Sequence, residues 1–206
     1  MCSSDLQTVM VLPQQGITTS AGVATGVRRF VEAAGVPALL YIKHDGYIDP
    51  ADAAALCRDG LISAIKYATV RNDPATDRYL RELVGLVDPA LVISGIGEQP
   101  AAAHWKNFGI RAFTSGCVCV APRRSQEMLR ALQAGDFAAA EKIRERFNSL
   151  ESLRNAHGPI PVLHQAVALA GIADTGPIFP LLAKLDGHLD APIQAAATGL
   201  LAWNQG

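Results

Sequence analysis

The sequence lacks the features that mark several broad classes of protein. Its 18 lysines and arginines are balanced by 19 aspartates and glutamates, so the net charge is −1 and no basic field is available to attract nucleic acid. No apolar run is long enough to cross a bilayer. Residues 1–7 have neither a basic start nor a long apolar centre, so we expect no signal peptide. We therefore expect neither nucleic-acid nor membrane partners.

Cysteine is also scarce and poorly placed for cross-linking or metal binding. The four cysteines are Cys2, Cys57, Cys117 and Cys119, and none forms a Cys-x-x-Cys pair of the kind that zinc sites use. On a strand, Cys117 and Cys119 would point to the same face and bridge poorly. Because the five histidines are scattered as well, we expect no metal site. We expect no other cofactor either. The pattern is typical of a protein of the reducing cytoplasm.

The chain alternates between short apolar runs and longer segments with helical spacing. The apolar runs predict five buried strands: Thr8–Leu12, Ala38–Ile42, Ile62–Lys66, Leu91–Ser94 and Arg111–Ser115. The intervening segments predict five amphipathic helices: Ala21–Ala34, Pro50–Arg58, Thr76–Val84, Pro100–Asn107 and Pro122–Gln133. Continuous apolar strands separated by amphipathic helices are typical of parallel βα units, which repeat about every 20 to 30 residues in a (β/α) barrel.

The pattern changes after Gln133. Three helices without intervening strands are predicted there: Asp136–Leu153, Ile160–Ala170 and Ala191–Trp203. We therefore divide the chain into a partial (β/α) barrel, residues 7–135, and a C-terminal helical region, residues 136–206, packed on the barrel or a partner subunit. Residues 1–6 resemble a translated sequencing adapter, and we interpret them as a non-native leader.

The number of strands limits the choice of fold. Eight strands close a (β/α) barrel, whereas this chain predicts five. An open, doubly wound sheet can use five strands, but no Gly-x-Gly-x-x-Gly follows the first strand, so nucleotide binding has no support. The fold class that we expect is α/β, with either a partial (β/α) barrel or an open five-stranded sheet, plus a C-terminal helical region. Missing strands would leave an open sheet edge, so an inactive fragment is one alternative.

Lys66 is the strongest candidate for chemistry. It ends an apolar strand, and barrel enzymes carry their catalytic groups at the C-terminal ends of strands. Desolvation lowers the pKa of a lysine and increases its neutral fraction, which can attack a ketone to give an imine. The alternative is a lysine whose ammonium reaches solvent from a strand end. Tyr41 ends the neighbouring strand, about 5 Å away across the sheet, where its phenol could relay protons or pack in the core.

Together, these segments resemble the dihydrodipicolinate synthase/N-acetylneuraminate lyase family of class I aldolases. The resemblance covers residues 7–204 and rests on the order and spacing of Leu40-Tyr41, Ala64-Ile65-Lys66, Ile93-Ser94-Gly95, Gly109–Gly116, Ala134–Phe137 and Gly158–Val162. It implies a Schiff-base-forming lyase that acts on pyruvate or a related 2-keto acid, by reversible aldol condensation or cleavage or by dehydration. It also implies a (β/α)8 barrel truncated to its last five βα units plus a C-terminal helical region. A homo-oligomer, commonly a tetramer, is implied as well.

The resemblance implies a role for each matching residue. Lys66 would form the Schiff base and Tyr41 would relay protons. The substrate pocket would be lined by Ser94, Gly95 and Phe113, with hydroxyl or backbone contacts from Thr114 and Ser115. Family members often follow the tyrosine with Asn and then an arginine that grips a substrate carboxylate. Here Lys43 or His44 would supply positive charge instead, and a lysine lacks the bidentate fork of arginine.

Two features leave the substrate open. The early Gly-Thr/Ser-Thr/Ser loop, whose hydroxyls bind the pyruvate carboxylate in the family, is absent from this sequence. In addition, Ser94–Gly97 and Thr114–Gly116 end adjacent strands, a location that binds phosphate in many barrels. A phosphate-binding barrel enzyme is therefore the alternative interpretation of the same strand ends.

Overall fold

The structure is a computed structural model that describes residues 6–178 and 180–206. Its strands are β1 (Val9–Val11), β2 (Ala38–Ile42), β3 (Ile62–Tyr67), β4 (Val92–Ser94) and β5 (Ala112–Phe113). Its helices are α1 (Ser20–Ala34), α2 (Pro50–Arg58), α3 (Arg78–Leu86), α4 (Glu98–Phe108), α5 (Pro122–Gln133), α6 (Phe137–His157), α7 (Pro159–Leu169) and α8 (Asp190–Gln205). These elements confirm the predicted alternation. Residues 1–5 of the predicted leader lie outside the described residues.

The five strands form one parallel sheet in the order β1-β2-β3-β4-β5. Each strand therefore pairs with its neighbour in sequence, and the order never reverses. A doubly wound sheet would reverse at a switch point, whereas consecutive units of a (β/α) barrel follow one another in this way. The topology thus favours the barrel type that the sequence predicts.

The two faces of the sheet have different environments. On β2, Ala38, Leu40 and Ile42 are buried, while the intervening Leu39 and Tyr41 are only half-buried. The buried face joins apolar side chains of α1, α2 and α3 in one core, which includes Val27, Leu56, Ile65, Leu80 and Leu83. Because successive side chains on a strand alternate in direction, residues two apart share a face. The half-buried face is the one available to a ligand.

Several helix boundaries follow from local chemistry. Thr19 and Asp136 cap α1 and α6, since their side-chain oxygens accept hydrogen bonds from the backbone N–H groups of the first turns. Gly35 ends α1 in the left-handed conformation, with φ of 70°, which glycine adopts without steric cost. Asp49 precedes Pro50 at the start of α2, but its side chain makes no capping hydrogen bond.

The described chain divides into two compact units. Unit 1 extends to Ile96 and includes Ala103–Thr114; unit 2 comprises Gly97–Ala102 and Ser115–Gly206. Unit 2 has its own apolar core, which includes Phe147, Leu150, Val162, Ala166, Ile193 and Ala197. The division predicted between residues 135 and 136 stays a prediction. No helix in residues 6–178 and 180–206 is long and apolar enough to cross a membrane.

The segment that follows β5 differs from the prediction. The strand expected over Arg111–Ser115 covers only Ala112–Phe113. Cys117 and Cys119 lie in a short 3₁₀ turn rather than on a strand, so Cys117 is buried while Cys119 is exposed. The Ser115 hydroxyl accepts a hydrogen bond from the N–H of Val118, which starts the turn and ends the extended run. The two cysteines therefore do not lie on one face of a strand.

The core face of β2 gives a test of the strand assignment. Leu40 is fully buried, so Leu40→Ala should lower the free energy of unfolding by about 2–5 kcal/mol through lost burial and a residual cavity. Leu12→Ala is the matched control, because Leu12 is 63% exposed and the same truncation there should cost under about 0.5 kcal/mol. Urea unfolding measures both. Equal losses at the two positions would contradict the assigned faces.

Candidate active site at the strand ends

Lys66 lies one residue before the end of β3, on the half-buried face of the sheet. The parallel register pairs Tyr41 of β2 with Lys66, so the two side chains point the same way. The Nζ atom of Lys66 lies 4.5 Å from the centroid of the Tyr41 ring. The structure thus brings together the two residues that the sequence selected for chemistry.

The environment of Lys66 favours a neutral amine. Burial lowers the pKa of Lys66 from its usual value, and the nearby positive charge of Lys43 lowers it further. Among residues 6–178 and 180–206, no carboxylate lies within ion-pair distance of either lysine. A lysine with a depressed pKa has more unprotonated amine near neutral pH, and that form is the nucleophile.

Because Gly95 has no side chain, it leaves room for the side chain of Lys66. Gly95 follows β4, and its N–H donates a 2.6 Å hydrogen bond to the carbonyl of Tyr67. A Cβ at this position would lie 2.8 Å from Cγ of Lys66 and 2.9 Å from the Tyr67 carbonyl oxygen. Both separations are too short for a side chain, so a glycine is needed here. The predicted importance of Gly95 therefore has a direct steric basis.

Ser94 and Phe113 point away from Lys66, contrary to the expectation that they line one pocket with it. Ser94 pairs in register with Tyr67 and Phe113, so all three side chains share the opposite face of the sheet. The Ser94 hydroxyl is buried and lies 2.8 Å from Nδ1 of His104. Burial lowers the pKa of His104 to about 4, so its ring is neutral near pH 7. The sequence motif locates Ser94 at the strand end, but it does not predict the direction in which the Ser94 side chain points.

Lys43 and His44 begin the loop after β2, which we call the β2 loop (residues 43–49). Lys43 is exposed. His44 is half-buried; its Nδ1 lies 3.0 Å from the carbonyl oxygen of Asp45, and its ring meets Tyr47 edge-on. Of these two candidates for positive charge, Lys43 is the one whose charge acts on Lys66.

An ionic network beside the β2 loop was not expected from the sequence. Arg71, four residues after β3, donates two 2.6 Å hydrogen bonds to the carboxylate of Asp45. It also bonds to Asp77, at 2.8 Å, and to the hydroxyl of Tyr67, at 3.0 Å. A pocket of about 530 Å³ lies beside these groups. Arg71 thus connects the β2 loop to the end of β3.

Thr114 and Ser115 occupy the segment after β5 and belong to different units. Thr114 is exposed, and its N–H donates to the carbonyl of Ser94 within unit 1. In unit 2, the Ser115 hydroxyl donates to the carboxylate of Glu98 at 2.7 Å. The Ser115 hydroxyl therefore has a protein partner, which sequence reasoning did not anticipate.

Two buried carboxyl groups lie close together in unit 2. Glu98 accepts hydrogen bonds from Ser115 and from Ser125, both at 2.7 Å. Glu151 of α6 accepts from the backbone N–H groups of Glu98 and Gln99, and lies 3.5 Å from Arg154. Burial raises the pKa of Glu98, and burial followed by repulsion from Glu98 raises that of Glu151 to about 8. The pair therefore keeps a proton near neutral pH.

The sequence could not identify this pair, because its members are more than 50 residues apart. Glycine gives one indication of the close packing there. A Cβ on Gly97, whose φ is 117°, would lie 1.9 Å from a carboxylate oxygen of Glu151. Within the described part of the chain, no group of three or more His, Cys, Asp or Glu residues is arranged to hold a metal ion.

A family comparison agrees with this geometry. Residues 8–196 match the model of the dihydrodipicolinate synthetase family. The chain belongs to this family. The resemblance noted in the sequence is thereby confirmed, as is the α/β fold class of parallel βα units with C-terminal helices.

Solved structures of the dihydrodipicolinate synthetase family have the same fold. The dihydrodipicolinate synthase of Oceanobacillus iheyensis matches with a TM-score of 0.81 and 23% identity, over 98% of this chain and 66% of that one. The enzyme from Bacillus clausii matches with a TM-score of 0.78 and 24% identity, over 97% and 65%. A prophage protein of the family from E. coli K12, solved in complex with pyruvate, matches with a TM-score of 0.75 and 19% identity, over 94% and 66%.

These comparisons also show how much of each relative this chain covers. The chain spans just under two thirds of the length of the solved relatives that it matches. A comparison with curated protein sequences finds no match. The family and the fold are thus established.

The contact between Gly95 and Lys66 can be tested by adding one methyl group. Gly95→Ala should displace Lys66 or the strand end, lower the free energy of unfolding by about 1–3 kcal/mol, and slow the reaction of Lys66 with amine reagents. Gly85→Ala in α3 is the matched control, since nothing lies within 4 Å of its new Cβ and the change should stabilise the helix slightly. If both variants behaved alike, Gly95 would have no special role.

The Glu98–Glu151 pair should make stability depend on pH. In the unfolded chain both carboxyls titrate near about pH 4.3, so their raised folded pKa means that the native state binds more protons from there to about pH 8. The free energy of unfolding should therefore fall by up to about 5 kcal/mol as the pH rises through this window, since one pKa unit corresponds to about 1.4 kcal/mol. Urea unfolding at a series of pH values measures the fall.

Glu98→Gln removes one acid with little change of shape and should flatten this fall. Glu145→Gln, at an exposed position of α6, is the control and should leave the slope unchanged. A slope in Glu98→Gln as steep as in the unmodified protein would show that the pair does not retain a proton.

Proposed function

We propose that Lys66 forms a Schiff base with the ketone of pyruvate or a related 2-keto acid, and that the protein is a class I lyase or aldolase. The observation that carries this proposal is the half-buried Lys66 amine, which packs on the ring of Tyr41 at 4.5 Å. Burial and Lys43 both lower the pKa of this amine. A desolvated lysine at the C-terminal end of a parallel strand is the arrangement that imine chemistry requires.

The reaction follows from these groups. The neutral amine of Lys66 attacks the carbonyl carbon, and the carbonyl oxygen takes a proton from the Tyr41 phenol. The amine nitrogen then returns a proton to Tyr41, and Tyr41 donates it to the hydroxyl group, which leaves as water to give the iminium. The iminium accepts the electron pair released at the neighbouring carbon, so a carbon–carbon bond can break or form there, or a hydroxyl can leave further along.

The identity of the second reactant is left at the level of its class. Lys43 offers a point charge where relatives often carry an arginine, so a second carboxylate would be held less strictly. We therefore propose a 2-keto acid lyase or aldolase rather than dihydrodipicolinate synthesis itself. The pyruvate complex of the E. coli K12 relative supports pyruvate as the first compound to try.

The phosphate alternative has less support than the Schiff-base reaction. The Ser94 hydroxyl is buried against His104, so it cannot contact a phosphate on the face of Lys66. The Ser115 hydroxyl donates to Glu98, so it is already occupied by a protein partner. Two of the hydroxyl groups that suggested the alternative, those of Ser94 and Ser115, therefore have other partners.

Assembly and location follow from family membership and from the thiols, and we propose both. Relatives in this family commonly form tetramers, so a homo-oligomer is the expected state. Cys57, Cys117 and Cys119 have free thiols, which fit the reducing cytoplasm.

Reductive trapping tests the proposed function. With pyruvate and borohydride, the protein should gain the mass of one reduced pyruvate on the peptide that contains Lys66, whereas Lys66→Arg should gain none. Tyr41→Phe should trap more slowly, by about 10²-fold or more, because it removes the proton relay. Lys106→Arg, on α4, is the matched control and should trap normally.

Two outcomes would count against the proposal. An adduct that persists in Lys66→Arg would assign the chemistry elsewhere. A folded chain that gives no adduct with pyruvate or other 2-keto acids would favour the alternative of an inactive fragment.

A further inference from the structure

Arg71 uses most of its hydrogen-bonding capacity within unit 1. Its two terminal nitrogens donate separately to the two carboxylate oxygens of Asp45, at 2.6 Å each. Its Nε donates to Asp77 at 2.8 Å, and one terminal nitrogen also donates to the Tyr67 hydroxyl at 3.0 Å. This arrangement depends on the planar fork of an arginine, which a lysine cannot reproduce.

The partners of Arg71 differ in how firmly they are held. Tyr67 and Asp77 are buried, and the Tyr67 hydroxyl donates to Asp77 at 2.5 Å. Asp77 also caps α3 by accepting from the N–H of Leu80. Asp45, by contrast, lies on the β2 loop with its side chain 62% exposed. One side of the guanidinium is therefore fixed to β3 and α3, while the other side holds an otherwise exposed loop.

The electrostatics of the network agree with this division. The hydrogen bonds from Arg71 lower the pKa of Asp45. Burial alone would raise the pKa of Asp77, but the hydrogen bonds from Arg71 and Tyr67 outweigh it and lower the pKa. Both carboxylates are therefore ionised near neutral pH, and both are occupied by Arg71.

The β2 loop begins with Lys43, whose positive charge lowers the pKa of Lys66. Tyr41 lies beside Lys66 in register, and Lys43 is two residues further along the same chain. Asp45 is two residues beyond Lys43 and would be a ready partner for its ammonium, but the bidentate bond to Arg71 occupies it. The Arg71–Asp45 pair thus holds the loop on which Lys43 lies.

We propose that Arg71 is a positioning residue, which clamps Asp45 and thereby holds the Lys43 ammonium close to the Lys66 amine. The Arg71–Asp45 clamp acts through the loop, not through contact with substrate. It deepens the proposed function, since it matters for catalysis only if Lys66 is the nucleophile. Tyr41 of β2 contacts Lys66, and Lys43 of the β2 loop acts on it through its charge, whereas the neighbours of Lys66 at β4, Ile93 and Gly95, carry no charge.

The test measures the titration of Lys66 directly and needs no turnover. Trace labelling with an amine-reactive anhydride over a range of pH, with mass spectrometry of the Lys66 peptide, gives the pKa of this one lysine in the intact chain. Lys43→Gln removes the like charge, so the pKa of Lys66 should rise and its labelling near about pH 8 should slow by about 2- to 5-fold. Arg71→Gln should have a similar effect, because it releases both Lys43 and Asp45.

Two further variants distinguish the hydrogen-bonding geometry of Arg71 from its charge, and test whether its effect passes through Lys43. Arg71→Lys keeps the positive charge but loses the fork, so it should behave like Arg71→Gln rather than like the unmodified protein. In the double variant Lys43→Gln/Arg71→Gln, the second change should add almost nothing, since Lys43 carries the effect. Arg28→Gln is the matched control: it breaks an Arg–Asp pair elsewhere in unit 1, with Asp59, and should leave Lys66 unchanged.

The same experiment defines the results that would overturn the proposal. It fails if Lys43→Gln leaves the pKa of Lys66 unchanged, or if Arg71→Lys titrates like the unmodified protein. It also fails if Arg71→Gln keeps its full effect when Lys43 is already replaced. Pyruvate trapping is scored separately, so a coupled Lys66 that forms no imine would refute the proposed function and leave the Arg71–Asp45 clamp standing.

Discussion

The parallel register of β2 and β3 pairs Tyr41 with Lys66, and the rest of the candidate site depends on this pairing. Side chains alternate along a strand, so a shift of one residue would turn either group to the opposite face. On that opposite face, Leu40, Ile65 and Tyr67 are buried in the core of unit 1, which makes such a shift costly. The hydrophobic core on one face of the sheet therefore fixes the positions of Tyr41 and Lys66 on the other face.

Three further residues determine the surroundings of Lys66. Gly95 gives its stem room, Lys43 contributes a like charge, and Arg71 secures the loop from which Lys43 extends. Ser94 supports the same strand end from the other face through its bond to His104. Each contribution is small alone, but together they hold a half-buried amine next to an aromatic ring without a neutralising carboxylate among the described residues.

Much of this arrangement could be predicted from the sequence, because it depends on local periodicity. The strand and helix order, the location of Lys66 at a strand end and the adjacency of Tyr41 follow from apolar runs and from parallel pairing. The side-chain direction of Ser94 could not be predicted, since motifs mark a strand end without counting the alternation along it. The bond from Ser115 to Glu98 could not be predicted either, since the two residues approach each other only in the folded chain.

The networks around Arg71 and Glu151 were missed for a related physical reason. Their partners are far apart in sequence, and an isolated arginine or glutamate resembles an ordinary surface residue. Asp45 lies 26 residues from Arg71, and Glu98 lies 53 residues from Glu151. Only the folded chain shows that one arginine holds two carboxylates, or that two carboxyls share a buried site.

The central claim is that the Lys66 amine becomes covalently bonded to a ketone carbon. Carbon NMR of the intact protein with pyruvate labelled at its ketone carbon observes that bond without any reducing agent. We expect a protein-bound resonance in the imine region that is absent in Lys66→Arg. A spectrum with only free ketone and hydrate signals, or an imine signal that survives in Lys66→Arg, would contradict the account.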